Sequence, residues 1–254
     1  MPSSSVFDLA GKVAIVTGSN TGLGAGMAIA LADAGCDIVG VSRHGAADTQ
    51  RRVESAGRRF ADVRADLASI APVDHIVNAA VDAFGRVDVL VNNAGIIRRA
   101  NALEFTEADW DAVTDLNLKT LFFLSQAVAR RYVEQRSGGK IINVASVLSF
   151  QGGIRVASYT AAKSGVLGLT RLLANEWAAH RINVNAIAPG YMATANTEAL
   201  RNDPERNADI LARIPAGRWG APDDLAGPVV FLASSASDYV HGHTLAVDGG
   251  WLAR

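Results

Sequence analysis

Cysteine is almost missing from this chain. Cys36 is the only one in 254 residues, so no internal disulfide can form and a reducing compartment fits. A lone thiol at the start of an apolar strand more often fills core space than attacks a substrate. An excess of either charge is missing too. Lys and Arg number 24 and Asp and Glu 25, for a formal net charge of −1, which argues against a nucleic-acid or polybasic membrane surface. No apolar run reaches the ~18 residues that span a bilayer. The opening stretch, Met1 to Leu9, is serine-rich and lacks the basic flank and apolar core of a signal peptide. Histidine is scarce. His241 and His243 stand two apart with no third ligand near in sequence, so no metal site is expected. Repeats and low-complexity linkers are absent, so no domain boundary falls within 1–254. These absences leave a soluble, cytoplasmic protein, neither bound to nucleic acid nor anchored in a membrane.

What is present is ordinary globular material, 49% hydrophobic and 19% charged, long enough for one large α/β domain whose core needs no staples. Lys12 to Thr17 is a nearly continuous apolar run, as expected of a strand buried on both faces. Gly18-Ser19-Asn20-Thr21-Gly22-Leu23-Gly24 follows at once, then a helix rich in small residues from Ala25. Strand, glycine loop and helix in that order suit a diphosphate. Glycines let the backbone approach it, and a helix N-terminus offers free N–H groups and a positive dipole end. A tight bend is the plainer alternative. Asp37 to Ser42 is a second strand. Its far end, where a ribose-reading carboxylate would stand, carries Ser42 and Arg43 instead, and Asp37 lies too far back. Arg43 can meet a 2′-phosphate or stack on adenine, which tilts the site toward NADP, or it can be a solvated charge.

Further strands are expected at 58–65, 87–91, 140–145, 181–188 and 244–247. Asp66-Leu67 ends the third, at the edge where adenine would lie, though Asp66 can equally cap the next helix. Asn92-Asn93-Ala94-Gly95 ends the fourth with small residues, as a cofactor crossing the sheet requires, or as any turn prefers. Helices are expected at 49–56, at 70–84 stopped by Gly85, over most of 107–136, at 159–180, and at 223–234 with Pro228 forcing a kink or a later start. Asn117 is a poor residue for a helix interior. It is either exposed and trivial or marks a local break that presents a carbonyl to water. Residues 191–215 show weak periodicity after a strand end, the usual place for a substrate loop.

Tyr159 and Lys163 are four apart near the start of a helix whose apolar side is expected to carry Leu167, Leu169, Leu172, Leu173, Trp177 and Ala178. A phenol with a pKa of about 10 is a poor base at neutral pH, and an adjacent ammonium would lower it. On spacing alone such a pair can simply pack or face water. Ser146 stands thirteen residues earlier, after a strand, where serine is commonly just a cap.

Taken together, Gly18-x3-Gly22-x-Gly24, Asn92 to Gly95, Asn117, Ser146, Tyr159-x3-Lys163 and Pro189-Gly190 resemble the short-chain dehydrogenase/reductase family over essentially the whole chain. The resemblance implies a doubly wound Rossmann-type domain with a seven-stranded parallel sheet and helices on both faces, usually as a homotetramer. It implies an NAD or NADP cofactor held by Gly18, Asn20, Thr21, Gly22, Leu23, Gly24, Ser42, Arg43, Asp66, Leu67, Asn93, Ala94, Gly95, Tyr159, Lys163, Pro189, Gly190, Met192 and Thr194. It implies catalysis by four residues. Tyr159 would exchange the proton, Lys163 would hold the ribose and lower the Tyr159 pKa, Ser146 would bond the substrate oxygen, and Asn117 would hold a relay water.

Five stretches narrow the likeness to the family's 2-deoxy-D-gluconate 3-dehydrogenase group, also described as 2-dehydro-3-deoxy-D-gluconate 5-dehydrogenases and generally NAD-linked. They are Gly95 to Arg99, Ser149 to Val156, Ala188 to Thr194, Ile214 to Gly220 and Asp248 to Arg254. Ser42-Arg43 departs from that group. A sugar-acid substrate would account for the loop arginines, since a guanidinium binds a carboxylate with two hydrogen bonds. Arg98, Arg99, Ser146, Gln151, Arg155, Tyr159 and Tyr191 are the expected substrate contacts, with Arg99 or Arg155 on the carboxylate. A 3-oxoacyl-carrier-protein reductase and a non-catalytic dinucleotide sensor are the rival readings.

Overall fold

A computed structural model describes residues 5–254, so the first four residues of the Met1–Leu9 stretch lie outside the described residues. In chain order the elements are β1 (Val13–Thr17), α1 (Gly22–Asp33), β2 (Asp37–Ser42), α2 (Ala47–Ser55), β3 (Phe60–Arg64), α3 (Val73–Phe84), β4 (Val89–Asn92), α4 (Glu107–Thr114) and α5 (Leu121–Gln135). They continue with β5 (Gly139–Val144), α6 (Ala157–Trp177), β6 (Ile182–Pro189), α7 (Glu198–Asn202), α8 (Pro204–Arg213), α9 (Ala226–Ala233) and β7 (Thr244–Val247). One seven-stranded sheet has the order β3-β2-β1-β4-β5-β6-β7, and every pairing is parallel.

The continuous apolar strands follow from helices on both faces. Along β1, Val13 and Ile15 pack with Ile76, Leu124, Val128 and Leu173 from α3, α5 and α6. Ala14 and Val16 point the other way, onto Met27 and Leu31 of α1 and Val229 and Leu232 of α9. Alternate residues thus feed two cores, so the strand needs no polar face. Chain direction across the sheet reverses between β1 and β4, which opens a crevice at their carboxyl ends.

Several boundaries differ from the sequence reading, each for a local reason. Asp37 sits at the amino end of β2 and binds Arg58 (2.8 Å) and Arg59 (2.6 Å), so β3 starts only at Phe60. Helix α3 starts at Val73, after Pro72, and ends on Gly85 in the left-handed conformation (φ 76°). Pro228 lies in the first turn of α9, which begins later than expected, at Ala226. The apolar side of α6 runs through Ala162, Val166, Leu167, Leu173 and Ala174, while Leu172 and Ala178 are exposed.

The largest correction is to residues 191–215. They are not mostly loop, because α7 and α8 occupy much of the stretch. Asp203 caps α8 by accepting the N–H groups of Glu205 and Arg206, both at 3.1 Å, and Pro204 fills the first turn. The helix is short and mostly polar and buries only Ile210, so it offers few apolar residues from which to read a period.

Candidate active site

The glycine loop fills the crevice between β1 and β4. Gly18 has φ 66°, and a Cβ there would lie 2.8 Å from the Asn93 amide nitrogen. A Cβ on Gly24 would lie 2.1 Å from the Gly18 carbonyl oxygen, so the turn closes only with glycine at both positions. Asn93 does not reach outward. Its amide donates to the Thr17 carbonyl (2.9 Å) and ties the β4 loop to β1. Thr21 precedes α1 without a side-chain cap, so the first N–H groups of the helix stay available at the crevice. Thr194 stands over Gly22, its methyl 3.7 Å from where a Cβ would be. At the end of β2 the Ser42 hydroxyl is buried without a partner beside an exposed Arg43. Glycines with no room for side chains, an uncapped helix start and an orphaned hydroxyl together fit the diphosphate and ribose of a dinucleotide. Asp66 accepts the Ala68 N–H (3.0 Å) and closes a local turn; it does not cap the next helix, because α3 starts only at Val73, after Pro72.

Asn117 is fully buried, so the exposed alternative fails. The helix does break here, because Asp115–Thr120 winds as a π-helix between α4 and α5. The Asn117 side chain accepts from the Ile96 N–H and donates to the Ile96 carbonyl, both at 2.9 Å. An amide thus pairs with the chain just beyond β4 as a strand neighbour would.

Ser146 begins the short turn after β5, and its hydroxyl accepts the Leu148 N–H (3.1 Å). Ser149, which sequence reasoning passed over, accepts from the Ser146 N–H (3.3 Å) and donates to the Lys163 carbonyl (2.7 Å). It fixes the serine against α6. Tyr159 is half-buried on α6, and its hydroxyl shares the cavity wall with Ser146. Burial raises the phenol above its ordinary pKa, and the neighbouring Ser146 hydroxyl and Arg99 charge offset that only in part. Lys163 is not among the groups that shift Tyr159 in the coenzyme-free protein. The Lys163 nitrogen lies 5.7 Å from the Tyr159 ring centre and donates to the Val144 carbonyl at 2.5 Å. Burial lowers the Lys163 pKa from 10.5 to about 8.

Ser146 and Tyr159 open into a cavity of about 480 Å³. Gly190 and Tyr191 form one side, and Tyr191 is braced edge-on by Trp219, with ring centres 5.7 Å apart. Arg99 and Arg155 line the cavity as expected of substrate contacts, but Arg98 and Gln151 do not. Arg98 pairs with Asp109 at 3.3 Å, and Gln151 accepts from Arg213 at 3.0 Å. Asn196, Asp203 and Arg206, contributed by the 191–215 segment, were missed. Asp203-Pro204, a cap followed by a first-turn proline, was the one local signal that could have placed Arg206 on a helix. Among the described residues no cluster could hold a metal ion, and no helix is long and apolar enough to cross a membrane.

A family model described as enoyl-(acyl carrier protein) reductase, a branch of the short-chain dehydrogenases, matches residues 18–252. The chain belongs to the short-chain dehydrogenase/reductase family. Within this family, the chain is 64% identical over 250 residues to the 2-dehydro-3-deoxy-D-gluconate 5-dehydrogenase of Escherichia coli K12, covering 98% of this chain and 99% of that one. Among solved short-chain dehydrogenase/reductase structures, a provisionally assigned 2-deoxy-D-gluconate 3-dehydrogenase of Agrobacterium tumefaciens, crystallised with NADP, superposes with a TM-score of 0.94 at 56% identity. That match covers 99% of this chain and 100% of the other. A gluconate 5-dehydrogenase of Burkholderia cenocepacia, solved with NADP and tartrate, is 41% identical with a TM-score of 0.93 and 98% coverage of both chains.

Proposed function

We propose that this enzyme is an NAD(P)-linked dehydrogenase of a deoxy sugar acid, of the 2-dehydro-3-deoxy-D-gluconate 5-dehydrogenase type. It interconverts a secondary alcohol and a ketone. One observation carries the reading: the cavity lined by Ser146 and Tyr159 is also lined by Arg99 and Arg155. A proton-transfer pair beside fixed cations suits an acid whose hydroxyl and carboxylate lie a few carbons apart. An acyl carrier's substrate would want an apolar groove there.

The nicotinamide, when bound, accepts or returns the hydride. The chain's own residues supply the rest. Gly18 to Gly24 and the start of α1 hold the diphosphate, Gly190 to Thr194 bound the nicotinamide end, and the Lys163 N–H groups not donated to Val144 serve the ribose. Ser42 and Arg43 at the adenosine end favour acceptance of a 2′-phosphate, so NADP is a coenzyme alongside NAD. During oxidation Tyr159 takes the hydroxyl proton at its phenolate oxygen, and Ser146 donates to the developing oxyanion, worth about 3 kcal/mol in comparable sites. Asn117 keeps its side chain on the β4 loop, and its π-turn frees main-chain carbonyls for a relay water to Lys163.

A homotetramer in the cytoplasm completes the reading. Apolar side chains left exposed on α4, α5 and α6, namely Trp110, Val133 and Leu172, support subunit packing. A single, buried cysteine supports a reducing compartment. The decisive experiment is Tyr159→Phe, assayed with both coenzymes on a panel of sugar acids, alongside coenzyme binding by fluorescence. Turnover should fall about a thousandfold or more with coenzyme affinity intact; activity within about tenfold of wild type rejects the assignment.

A further inference from the structure

Two cavities among the described residues treat charge differently. One, about 620 Å³, lies at the amino ends of β1, β4, β5 and β6, and four of its charges form two ion pairs. There Lys140 binds Asp238 at 2.7 Å and Lys12 faces Asp88 at 3.5 Å. The cavity at Tyr159 does the opposite. Arg99, Arg155 and Arg206 line it against a single carboxylate, Asp203. Among the described residues none of the three arginines joins a salt bridge. Asp203 is already engaged with two N–H groups at the start of α8. The cavity is thus left with two positive charges in excess, and an anion relieves their repulsion.

The three guanidinium groups are not equivalent. Arg99 donates to the Asn196 carbonyl at 3.1 Å, and its charge acts on the Tyr159 hydroxyl, so it belongs with the reacting oxygen. Arg155 comes from the loop after β5. Its backbone is left-handed (φ 62°), and its carbonyl accepts the Ala100 N–H at 3.1 Å. A non-glycine residue stays in that conformation only where its surroundings fix it. Arg206 arrives from the 191–215 segment, in the first turn of α8.

We propose that Arg206 and Arg155 grip the substrate's carboxylate from separate elements of the cavity wall, while Arg99 serves the reacting end. This rests on the sugar-acid reading above and assigns a role to α8 within it. It makes the 191–215 segment a specificity element whose contribution is one charge.

The test compares Arg206→Met, Arg206→Lys and Arg155→Met on the sugar acid and on its carboxamide. It also measures competitive inhibition by tartrate, a non-reacting hydroxy dicarboxylate. Arg206 is exposed on a short helix, so the variants fold. Arg206→Met should raise KM for the acid about 10- to 100-fold more than for the amide, the worth of one charge-assisted hydrogen bond. The tartrate inhibition constant should rise in parallel, and Arg206→Lys should recover part of both. Equal effects on acid and amide, or an unchanged tartrate constant, overturn the proposal. If wild type turns over no sugar acid yet tartrate binding still depends on Arg206, the substrate reading fails and the anion clamp stands.

Discussion

Replacing Lys163 with methionine should make the coenzyme-free enzyme more stable at neutral pH and less stable in strong alkali. Lys163 is 4% exposed, and its ammonium has one protein partner, the Val144 carbonyl. Burial drags its pKa from 10.5 to about 8, a difference of about 3 kcal/mol between the protonation states. The sign follows from proton uptake. Between pH 8 and 10.5 the unfolded chain holds the proton that the folded protein has released, so wild-type stability rises with pH across that window. Below the folded value the whole ~3 kcal/mol opposes folding. Methionine has nearly the same volume and removes that cost, but it strips the Val144 carbonyl of a donor, a loss of about 1–2 kcal/mol.

The variant should therefore be about 1–2 kcal/mol more stable near pH 6.5. It should lose about 2 kcal/mol relative to wild type by pH 9.5 and be the less stable protein above 10.5. Urea unfolding of both proteins at one protomer concentration across that range reads the difference directly. A variant that is less stable at pH 6.5, or a difference that does not change with pH, refutes the account. The result would also expose a trade between stability and function, since the same substitution removes the group proposed to hold the coenzyme ribose.

Two further outcomes follow from packing. Gly24→Ala places a methyl 2.1 Å from the Gly18 carbonyl, so the loop must shift; coenzyme Kd should rise about tenfold or more while the far-UV spectrum stays native. An unchanged Kd would show that the loop tolerates a side chain. Asn117→Ala leaves the Ile96 N–H and carbonyl without partners, which should cost about 3 kcal/mol, or ~10 °C in Tm by calorimetry. A melt within a degree or two of wild type would mean that water replaces the amide.

The strand–glycine loop–helix opening, the Tyr159-x3-Lys163 spacing and the small residues closing β4 were all legible in the chain. They are local signals, governed by backbone φ, by helical periodicity and by the double burial of a parallel strand. The reading failed where a side chain's surroundings come from distant sequence. Arg98 and Arg99 are neighbours, yet one pairs with Asp109 and the other lines the cavity. Nothing in their order tells them apart, because the outcome depends on α4 and on Asn196 almost a hundred residues away.

The chain alone determined a seven-stranded nucleotide-binding fold and a tyrosine and lysine placed to do chemistry. Tertiary structure alone decided which charges meet the substrate and what state the lysine holds. Arg206 entered the cavity because Asp203 starts a helix there, and Lys163 lost affinity for its proton because the folded sheet and α6 exclude water from it. Periodicity fixes which face a residue takes; electrostatics depends on what the rest of the protein puts opposite that face.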